Sequence, residues 1–361
     1  MSDWKTSLAT KLPQLELRSN EPLAAHTTVK LGGPAEVLAL PKSTEELLDT
    51  IAVATKAGAP ITMLGWGANT LIADRGVCGL VIKPSSTEII ISDDRAALES
   101  ELQLLPKAPT QPRWIKASDD VQHADFTAVE FSEEGERVLV TMAAGVSLPS
   151  AINQLLNQEV TGLQWFARIP ASIGGALYNN IHGGTKFIGD YVSSVRAVST
   201  TGHLTTIPNS QLELGYDHSR FHHSNEIIID ANFILYRGDV AQARESMVKW
   251  AQQKSIQPQN SLGCIFQNVS EADQRRLELP TPSIGYIIEH VLQLKGYQIG
   301  GAKVSEKHAA FIENTGTATA ADYLAVIKHI AQEADTRCQL QLRPEIFFYG
   351  FTATELAGLT A

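Results

Sequence analysis

The sequence contains 361 residues, of which 43% are hydrophobic and 19% are charged, and its formal net charge is −10 at pH 7. A chain of this length and composition is expected to form two or three globular domains rather than remain disordered. The acidic balance argues against a nucleic acid or an anionic membrane surface as partner, because both require a basic surface.

The cysteines and the apolar runs bear on the cellular compartment. Cys78, Cys264 and Cys338 lie far apart, with neither a metal-ligand spacing nor a pairing pattern, as is typical of a reducing cytosol. The N-terminus lacks the apolar core of a signal peptide, and no apolar run approaches the ~20 residues of a membrane span. We therefore expect a cytoplasmic protein with no membrane partner. Its oligomeric state is left open, with a monomer as the working expectation.

Residues 1–25 are polar and are predicted to form an N-terminal arm. His26–Leu40 begins with a polar turn and becomes a strand. Ser43–Gly58 is predicted to be a helix, because Ser43 and Glu46 form a capping box ahead of an apolar face. A strand at Leu80–Lys83 completes a small α/β unit.

Between that helix and that strand lies the stretch ITMLGWGANTLIAD, residues 61–74. Its apolar residues surround Gly65, Gly67, Ala68 and Asn69, which is typical of a buried strand that ends in a tight loop. Glycines let backbone N–H groups approach a ligand closely, so such a loop is able to cradle a phosphate. The alternative is an ordinary turn between two strands.

Residues 84–137 are predicted to be a surface insertion, because they carry acidic pairs and a proline-rich stretch. Short strands are predicted within it at 88–92 and 126–131. The elements predicted after it are a strand at 138–145, a helix from Ser147, a glycine-rich segment at 166–184, a hairpin around 201–202, a strand at 227–235, helices at 239–254, 284–294 and 319–334, a turn at 297–303 and a last strand at 340–349. This pattern indicates two or three α+β units and, by itself, no function.

Five segments in order resemble the sequence blocks of the UDP-N-acetylenolpyruvoylglucosamine reductases. They are HTTVKLGGPAEVL (26–38), MLGWGANTLIADRG (63–76), RIPASIGGALYNN (168–180), GGAKVSEKHAAFIENTG (300–316) and LRPEIFFYG (342–350). The resemblance implies an α+β flavoprotein, in which two subdomains of the vanillyl-alcohol-oxidase (PCMH-like) type hold FAD and a C-terminal α+β domain holds the substrate. The short segment between Asn268 and the helix at 284 resembles the type II branch of the family.

The resemblance also implies a division of the chain. Residues 1–25 would be the arm and 26–237 the FAD-binding domain, made of a first subdomain (26–83), the insertion (84–137) and a second subdomain (138–237). Residues 238–361 would be the substrate-binding domain, whose last strand returns to the flavin.

The implied reaction is the reduction of UDP-N-acetylglucosamine enolpyruvate to UDP-N-acetylmuramate in peptidoglycan precursor synthesis, with NADPH and FAD as cofactors. Hydride addition at C3 of the enolpyruvyl group leaves enolate charge at C2 and the carboxylate. The site must therefore supply positive charge or hydrogen-bond donors for that charge and an acid that protonates C2.

The implied acid is Cys264, at a position where the family usually has serine. A thiol has an ordinary pKa near ~8.5, far below that of an alcohol, so it is a competent proton donor. The alternative for Cys264 is a packing residue of the core. Glu345 matches the family's catalytic glutamate, and its alternative is an exposed carboxylate on a strand.

The implied arginine is missing. The family usually has Tyr-Arg-x-Ser-x-Phe, whereas this chain has YDHSRF at 216–221, so Tyr216 keeps its place and Asp217 stands where the arginine should be. We expect Arg220 to supply the positive charge, with Arg168 as the second candidate. The alternative for Arg220 is a surface salt bridge to Asp217.

The resemblance assigns pyrophosphate contacts of FAD to Gly65, Gly67, Ala68, Asn69 and Thr70, and close passage beside the flavin to Ile173, Gly174, Gly175 and Gly145. No metal site is expected, since the histidines follow no ligand spacing. Two rival functions stay open: another FAD-dependent oxidoreductase of the same superfamily, and a flavin-binding relative that has lost catalysis.

Overall fold

The computed structural model describes residues 4–106, 135–183, 186–253 and 257–359. The first part of the chain folds into one helical layer on a small sheet. Its elements are α1 (Trp4–Lys11), β1 (Leu17–Pro22), β2 (Pro34–Ala39), α2 (Thr44–Lys56), β3 (Ile61–Met63), β4 (Thr70–Ile72) and β5 (Val77–Ile82). The sheet has the strand order β1-β2-β5-β3, in which β1 runs antiparallel to β2 and the other pairs are parallel.

Helix α2 begins where the sequence predicts. The Ser43 hydroxyl accepts a hydrogen bond from the Glu46 N–H at 3.0 Å, which satisfies one of the donors left over at a helix start. Leu47, Ile51 and Ala54 form its buried face against the sheet and α1. The segment predicted as an arm, 1–25, thus contains α1 and the edge strand β1 of this sheet.

The second part is a five-stranded antiparallel sheet with the order β11-β10-β12-β7-β6 and helices packed against it. Its elements are β6 (Ile89–Ser92), α3 (Arg95–Leu102), β7 (Glu136–Ala143), α4 (Leu148–Asn157), α5 (Ile173–Tyr178), β8 (His182–Gly183), β9 (Lys186–Phe187), β10 (Val192–Val198), β11 (Leu204–Pro208), α6 (Phe221–Ser224) and β12 (Ile227–Arg237). The strand predicted at 88–92 is therefore present as β6, at the edge of this sheet. The one predicted at 126–131 lies outside the described residues.

The third part is a four-stranded antiparallel sheet, β13-β16-β15-β14, covered by one long helix. Helix α7 (Val240–Gln253) comes before this sheet in the chain but packs on the core of the second part, through Ala243 and Trp250. The elements of the third part are β13 (Ser261–Cys264), α8 (Glu271–Arg276), α9 (Ile284–Tyr286), β14 (Gln298–Ile299), β15 (Ala302–Val304), β16 (Phe311–Asn314), α10 (Ala320–Cys338), β17 (Phe347–Tyr349) and α11 (Ala353–Leu356). Helix α10 begins with a capping box, in which the Thr319 hydroxyl accepts from the Asp322 N–H and the Asp322 carboxyl group accepts from the Thr319 N–H. The helix predicted at 284–294 is instead α9 followed by a π-helical turn over Ile287–Val291.

The last strand ties the third part to the first. Strand β17 pairs in parallel with β4, with Phe347 opposite Thr70. It is shorter than the predicted strand at 340–349, because only its last three residues find a partner strand. Among the helices of the described residues, none combines the length and the apolar character needed to cross a membrane.

Candidate functional site

A cavity of about 600 Å³ lies where the three parts meet. Its lining comes from the loop after β3, the segment before and within α5, strand β13 and the chain around β17. The lining residues used below are Trp66, Arg168, Ser172, His182, Asp217, Cys264, Glu345 and the six residues Gly65, Gly67, Ala68, Asn69, Thr70 and Tyr349. A cavity of this size, between domains, is typical of a cofactor or substrate site.

The loop Gly65–Thr70 forms one wall. A Cβ atom at Gly67, where φ is +61°, would lie 2.6 Å from the carbonyl oxygen of His26, and one at Gly65 would lie 2.9 Å from Ser172 Oγ. Position 67 therefore requires glycine, whereas a Cβ atom at position 65 would displace the Ser172 hydroxyl that caps α5. Within the described part of the chain, the backbone N–H groups from Gly65 to Asn69 donate no hydrogen bond to protein atoms. They are consequently available to an anionic ligand.

The segment around α5 forms the opposite wall. Gly174 and Gly175, which are predicted to pass close to the flavin, line the cavity, and a Cβ atom at Gly174 would lie 3.0 Å from that of Ala144. Ile173 and Gly145 are placed differently. Ile173 is fully buried in the core of the second part, and Gly145 faces the backbone of residues 84–86, with a Cβ contact of 2.8 Å. Neither lines the cavity in the described structure, so their predicted place beside a flavin is not supported.

Cys264 and Glu345 lie on adjacent backbone segments. The Glu345 N–H donates to the Ile265 carbonyl at 2.8 Å, and the Gln267 N–H donates to the Arg343 carbonyl at 2.9 Å. This short ladder brings together two side chains that are far apart in sequence. Cys264 is partly buried at the cavity wall rather than in the core, which favours the predicted acid over the packing alternative.

Asn69 connects the loop to the same segment. Its amide Nδ2 donates to the Glu345 carbonyl at 2.9 Å, and its own carbonyl accepts from the Phe347 N–H at 2.9 Å. These two hydrogen bonds fix the position of the loop relative to the backbone of Glu345. Asn69 therefore has a positioning role besides the cofactor contact predicted for it.

Glu345 belongs to a group of acidic side chains. The Tyr216 hydroxyl donates to Glu345 Oε1 at 3.0 Å, and the carboxyl group of Asp217 lies within hydrogen-bonding reach of the Glu345 carboxyl group. Burial, followed by the charge of Asp217, raises the pKa of Glu345 well above its ordinary value. Burial also raises the pKa of Asp217 and of Tyr216, and two adjacent carboxylates repel each other.

The two candidate arginines differ in position. Arg220 Nε donates to Glu226 Oε2 at 2.9 Å and its NH1 donates to the Gln211 carbonyl at 3.1 Å. The described cavity lining includes Arg168 but not Arg220. The order of preference from the sequence is therefore reversed, because Arg220 is already neutralised by Glu226 and not, as the alternative held, by Asp217.

Sequence reasoning missed three aromatic groups of the site. The Trp66 side chain is 39% exposed at the cavity wall, His182 stacks on Tyr216 with ring centroids 5.7 Å apart, and Tyr349 closes the lining next to β17. Trp66 and Tyr349 lie inside two of the five resembling segments, which is the signal that points to them. Among the described residues no three His, Cys, Asp or Glu side chains are placed to hold a metal ion.

The cavity fits FAD, the cofactor that the sequence implies. The consecutive N–H groups of Gly65–Asn69 match a pyrophosphate, and the glycines of both walls leave space that any Cβ atom would fill. The long, mostly apolar lining suits the rings of a dinucleotide.

Comparisons with known proteins agree with this geometry. The family described as "UDP-N-acetylenolpyruvoylglucosamine reductase, C-terminal domain" matches residues 255–349, and "FAD binding domain" matches residues 123–208. The UDP-N-acetylenolpyruvoylglucosamine reductase of Latilactobacillus sakei is 30% identical over 344 residues, covering 93% of this chain and 94% of the relative. That of Lactobacillus delbrueckii subsp. bulgaricus is 33% identical over 350 residues, covering 94% and 97%.

A solved structure supports the fold. The crystal structure of UDP-N-acetylenolpyruvylglucosamine reductase from Thermus caldophilus matches with a TM-score of 0.65 and 24% identity, covering 93% of this chain and 99% of that one. The two-subdomain FAD-binding fold with a C-terminal α+β domain, expected from the sequence, is confirmed. By its identity to relatives over nearly its whole length, the chain belongs to the UDP-N-acetylenolpyruvoylglucosamine reductase family.

Proposed function

We propose that this protein reduces UDP-N-acetylglucosamine enolpyruvate to UDP-N-acetylmuramate at the cavity, with NADPH as reductant and FAD as bound cofactor, in peptidoglycan precursor synthesis. FAD, when bound, takes a hydride from NADPH and passes it to C3 of the enolpyruvyl group. The residues of the chain hold the cofactor and substrate, stabilise the charge that forms, and supply a proton.

The loop Gly65–Thr70 would hold FAD. The N–H groups of Gly65–Asn69 would donate to the pyrophosphate, and the fixed dipoles of the backbone would compensate its negative charge. Gly174 and Gly175 let the opposite wall come close without a side chain in the way. Trp66, at the cavity wall, provides an aromatic surface beside that loop.

Cys264 protonates C2. After hydride addition, the electron pair at C2 takes the proton of the Cys264 thiol, which forms the new C–H bond and leaves a thiolate. The thiolate then recovers a proton from solvent. The partly exposed position of Cys264 at the wall allows both contact with substrate and return of the proton.

Arg168 faces the negative charge. The substrate carries a carboxylate, and enolate character adds to it in the transition state. Arg168 is the arginine of the described cavity lining, so it takes the place of the arginine that the family pattern has at position 217. We also propose that the protein works in the cytoplasm, where NADPH is available, and as a monomer, because one chain supplies all of these residues.

The observation that carries this proposal is the ladder between residues 265–267 and 343–345, which brings Cys264 and Glu345 to the cavity of the glycine loop. The test is NADPH oxidation by the FAD-loaded protein. We expect consumption of NADPH only when UDP-N-acetylglucosamine enolpyruvate is present, with one UDP-N-acetylmuramate formed per NADPH. UDP-N-acetylglucosamine, which lacks the enolpyruvyl group, is the control.

The rival functions give other results. An oxidoreductase of the same superfamily with a different substrate would leave the enolpyruvyl sugar unchanged while its flavin is reduced by another donor. A flavin-binding relative without catalysis would leave NADPH unchanged under every condition. Either result would overturn the proposal.

A further inference from the structure

Asp217 stands at the position of the missing arginine and has the opposite charge, yet it lines the cavity. Its Oδ2 atom is buried and accepts no hydrogen bond from an N–H or hydroxyl donor among the described residues. The side chains that interact with the Asp217 carboxyl group are Glu345 and Tyr216, and the Tyr216 hydroxyl donates to Glu345 Oε1 at 3.0 Å. A buried carboxyl oxygen that has no donor, beside a second carboxyl group, favours a proton held between the two groups.

We propose that Asp217 and Glu345 share one proton, and that Asp217 is a positioning residue that keeps Glu345 in its carboxylic acid form. Glu345 then donates a hydrogen bond to the substrate oxygen that gains negative charge, where the family pattern relies on an arginine. This inference rests on the proposed function and deepens it. The neutral carboxylic acid of Glu345 thus supplies part of the stabilisation that the missing arginine would give.

The surroundings of the pair favour the shared proton. Burial, the charge of Asp217 and the hydrogen bond with Asp217 all favour the acid form of Glu345, and the Tyr216 hydroxyl favours the charged form. The other titratable or charged groups that line this cavity are Tyr178, His182, Glu226, Cys264 and Tyr349, and Arg168. Glu226 is neutralised by Arg220. Of the cavity-lining groups named here, Arg168 alone carries a fixed positive charge, and it is an exposed side chain.

The backbone at Asp217 suits this role. Tyr216 and Asp217 form a two-residue turn, closed by the Gly215 N–H donating to the His218 carbonyl at 3.0 Å. Asp217 has φ +47°, a conformation that aspartate and asparagine tolerate better than most residues. Asp217→Asn is therefore a variant that preserves the turn and removes only the charge.

The first test compares two variants of Glu345 in the holoenzyme. Glu345→Gln keeps a neutral hydrogen-bond donor, so reoxidation of the reduced flavin by the enolpyruvyl sugar should stay within about tenfold of wild type. Glu345→Ala removes the donor and should slow the same step by about 10²–10³-fold, as the loss of a transition-state donor does elsewhere. Equal slowing in both variants would show that a carboxylate is required and would overturn the proposal.

The second test is the pH profile of that step. In wild type the rate should fall as pH rises, because Glu345 loses its proton. In Asp217→Asn the neighbouring negative charge is gone, so the pKa of Glu345 falls and the decline should begin at lower pH. In Glu345→Gln the part of the decline that belongs to Glu345 should disappear, which leaves only the decline caused by loss of the Cys264 thiol proton. An unchanged profile in Asp217→Asn would contradict a shared proton, whereas a merely structural role of Asp217 would lower the rate without moving the profile.

The third test needs no turnover. Infrared difference spectra of the FAD-loaded protein without substrate should show a protonated carboxylic acid at neutral pH, absent in Glu345→Gln and lost at lower pH in Asp217→Asn. If the band is present but the enolpyruvyl sugar is not reduced, the proposed function fails and the pair stands. If the sugar is reduced and the band is missing, the pair fails alone.

Discussion

At the scale of single residues, the site contains an arginine in a costly conformation. Arg168 has φ +71°, in the left-handed region that favours glycine. A strained residue at a cavity wall points to a function that outweighs its cost in stability. The charge that the site lacks at position 217 provides such a function.

Arg168→Gly should relieve the strain and remove the charge together. We expect the free energy of unfolding to rise by about 1 kcal/mol, since the left-handed conformation costs other residues about 1–2 kcal/mol. The KM for the enolpyruvyl sugar should rise roughly tenfold, because a charged hydrogen bond to the substrate is lost. Urea unfolding and steady-state kinetics measure the two effects.

Arg168→Gln is the matched control. It removes the charge but keeps the backbone strain, so its KM should rise to a similar extent without any gain in stability. An unchanged KM in both variants would exclude Arg168 from substrate binding.

At the scale of elements, two contacts join the first and third parts of the chain around the site. Strand β4 pairs with β17, and Asp74, just after β4, accepts hydrogen bonds from Ala320 N–H at 2.8 Å and Ala321 N–H at 3.0 Å at the start of α10. The Thr319 hydroxyl accepts a hydrogen bond from the Asp322 N–H, so three N–H groups in the first turn of α10 have acceptors. Strand β4, which follows the glycine loop, is thus attached to the third part by its pairing with β17 and by the hydrogen bonds of Asp74.

Asp74→Ala should lower the free energy of unfolding by about 1 kcal/mol, the usual cost of a lost helix cap. Because the same change loosens β4, it should also weaken FAD binding. Thr319→Ala removes a cap from the same helix without touching β4, so its FAD affinity should stay at the wild-type value. Equal FAD affinity in both variants would contradict a link between the cap and the loop.

Local interactions explain which elements could be predicted from the sequence. The caps of α2 and α10 are formed by residues three positions apart, so Ser43 with Glu46 and Thr319 with Asp322 are visible in the sequence. The length of the last strand depends on its pairing with β4, which is distant in sequence: Asn69 and Glu345, which are in contact beside the two strands, are 276 positions apart. The predicted strand is therefore too long.

The site divides in the same way. The glycine loop and Glu345 lie in the resembling segments, and Cys264 was identified from a position where the family usually has serine. The choice between Arg168 and Arg220 could not be made from the sequence, because it depends on the ion pair of Arg220 with Glu226. The pair formed by Asp217 and Glu345 could not be predicted from the sequence either, because it depends on a long-range contact: Tyr216 and Glu345 are 129 positions apart.

At the scale of the whole molecule, the cavity is assembled from all three parts, so the proposed FAD site spans their junction. A ligand that binds only the folded state stabilises it by an amount that grows with its concentration, about 2.7 kcal/mol at 100 times Kd. We therefore expect the Tm of the FAD-free protein to rise steadily with added FAD. Riboflavin, which lacks the pyrophosphate that the loop Gly65–Asn69 would bind, should raise it far less. Equal effects of the two flavins would contradict the role given to the loop.

The most direct measurement follows the flavin absorbance of the holoenzyme under anaerobic conditions. NADPH should bleach the flavin band, and subsequent mixing with UDP-N-acetylglucosamine enolpyruvate should restore it. Cys264→Ala should bleach at the wild-type rate and recover more slowly, because only the second step needs the proton of Cys264. Absence of bleaching, or bleaching without recovery in the wild-type protein, would contradict the proposed reaction, and equally fast recovery in Cys264→Ala would contradict the assigned acid.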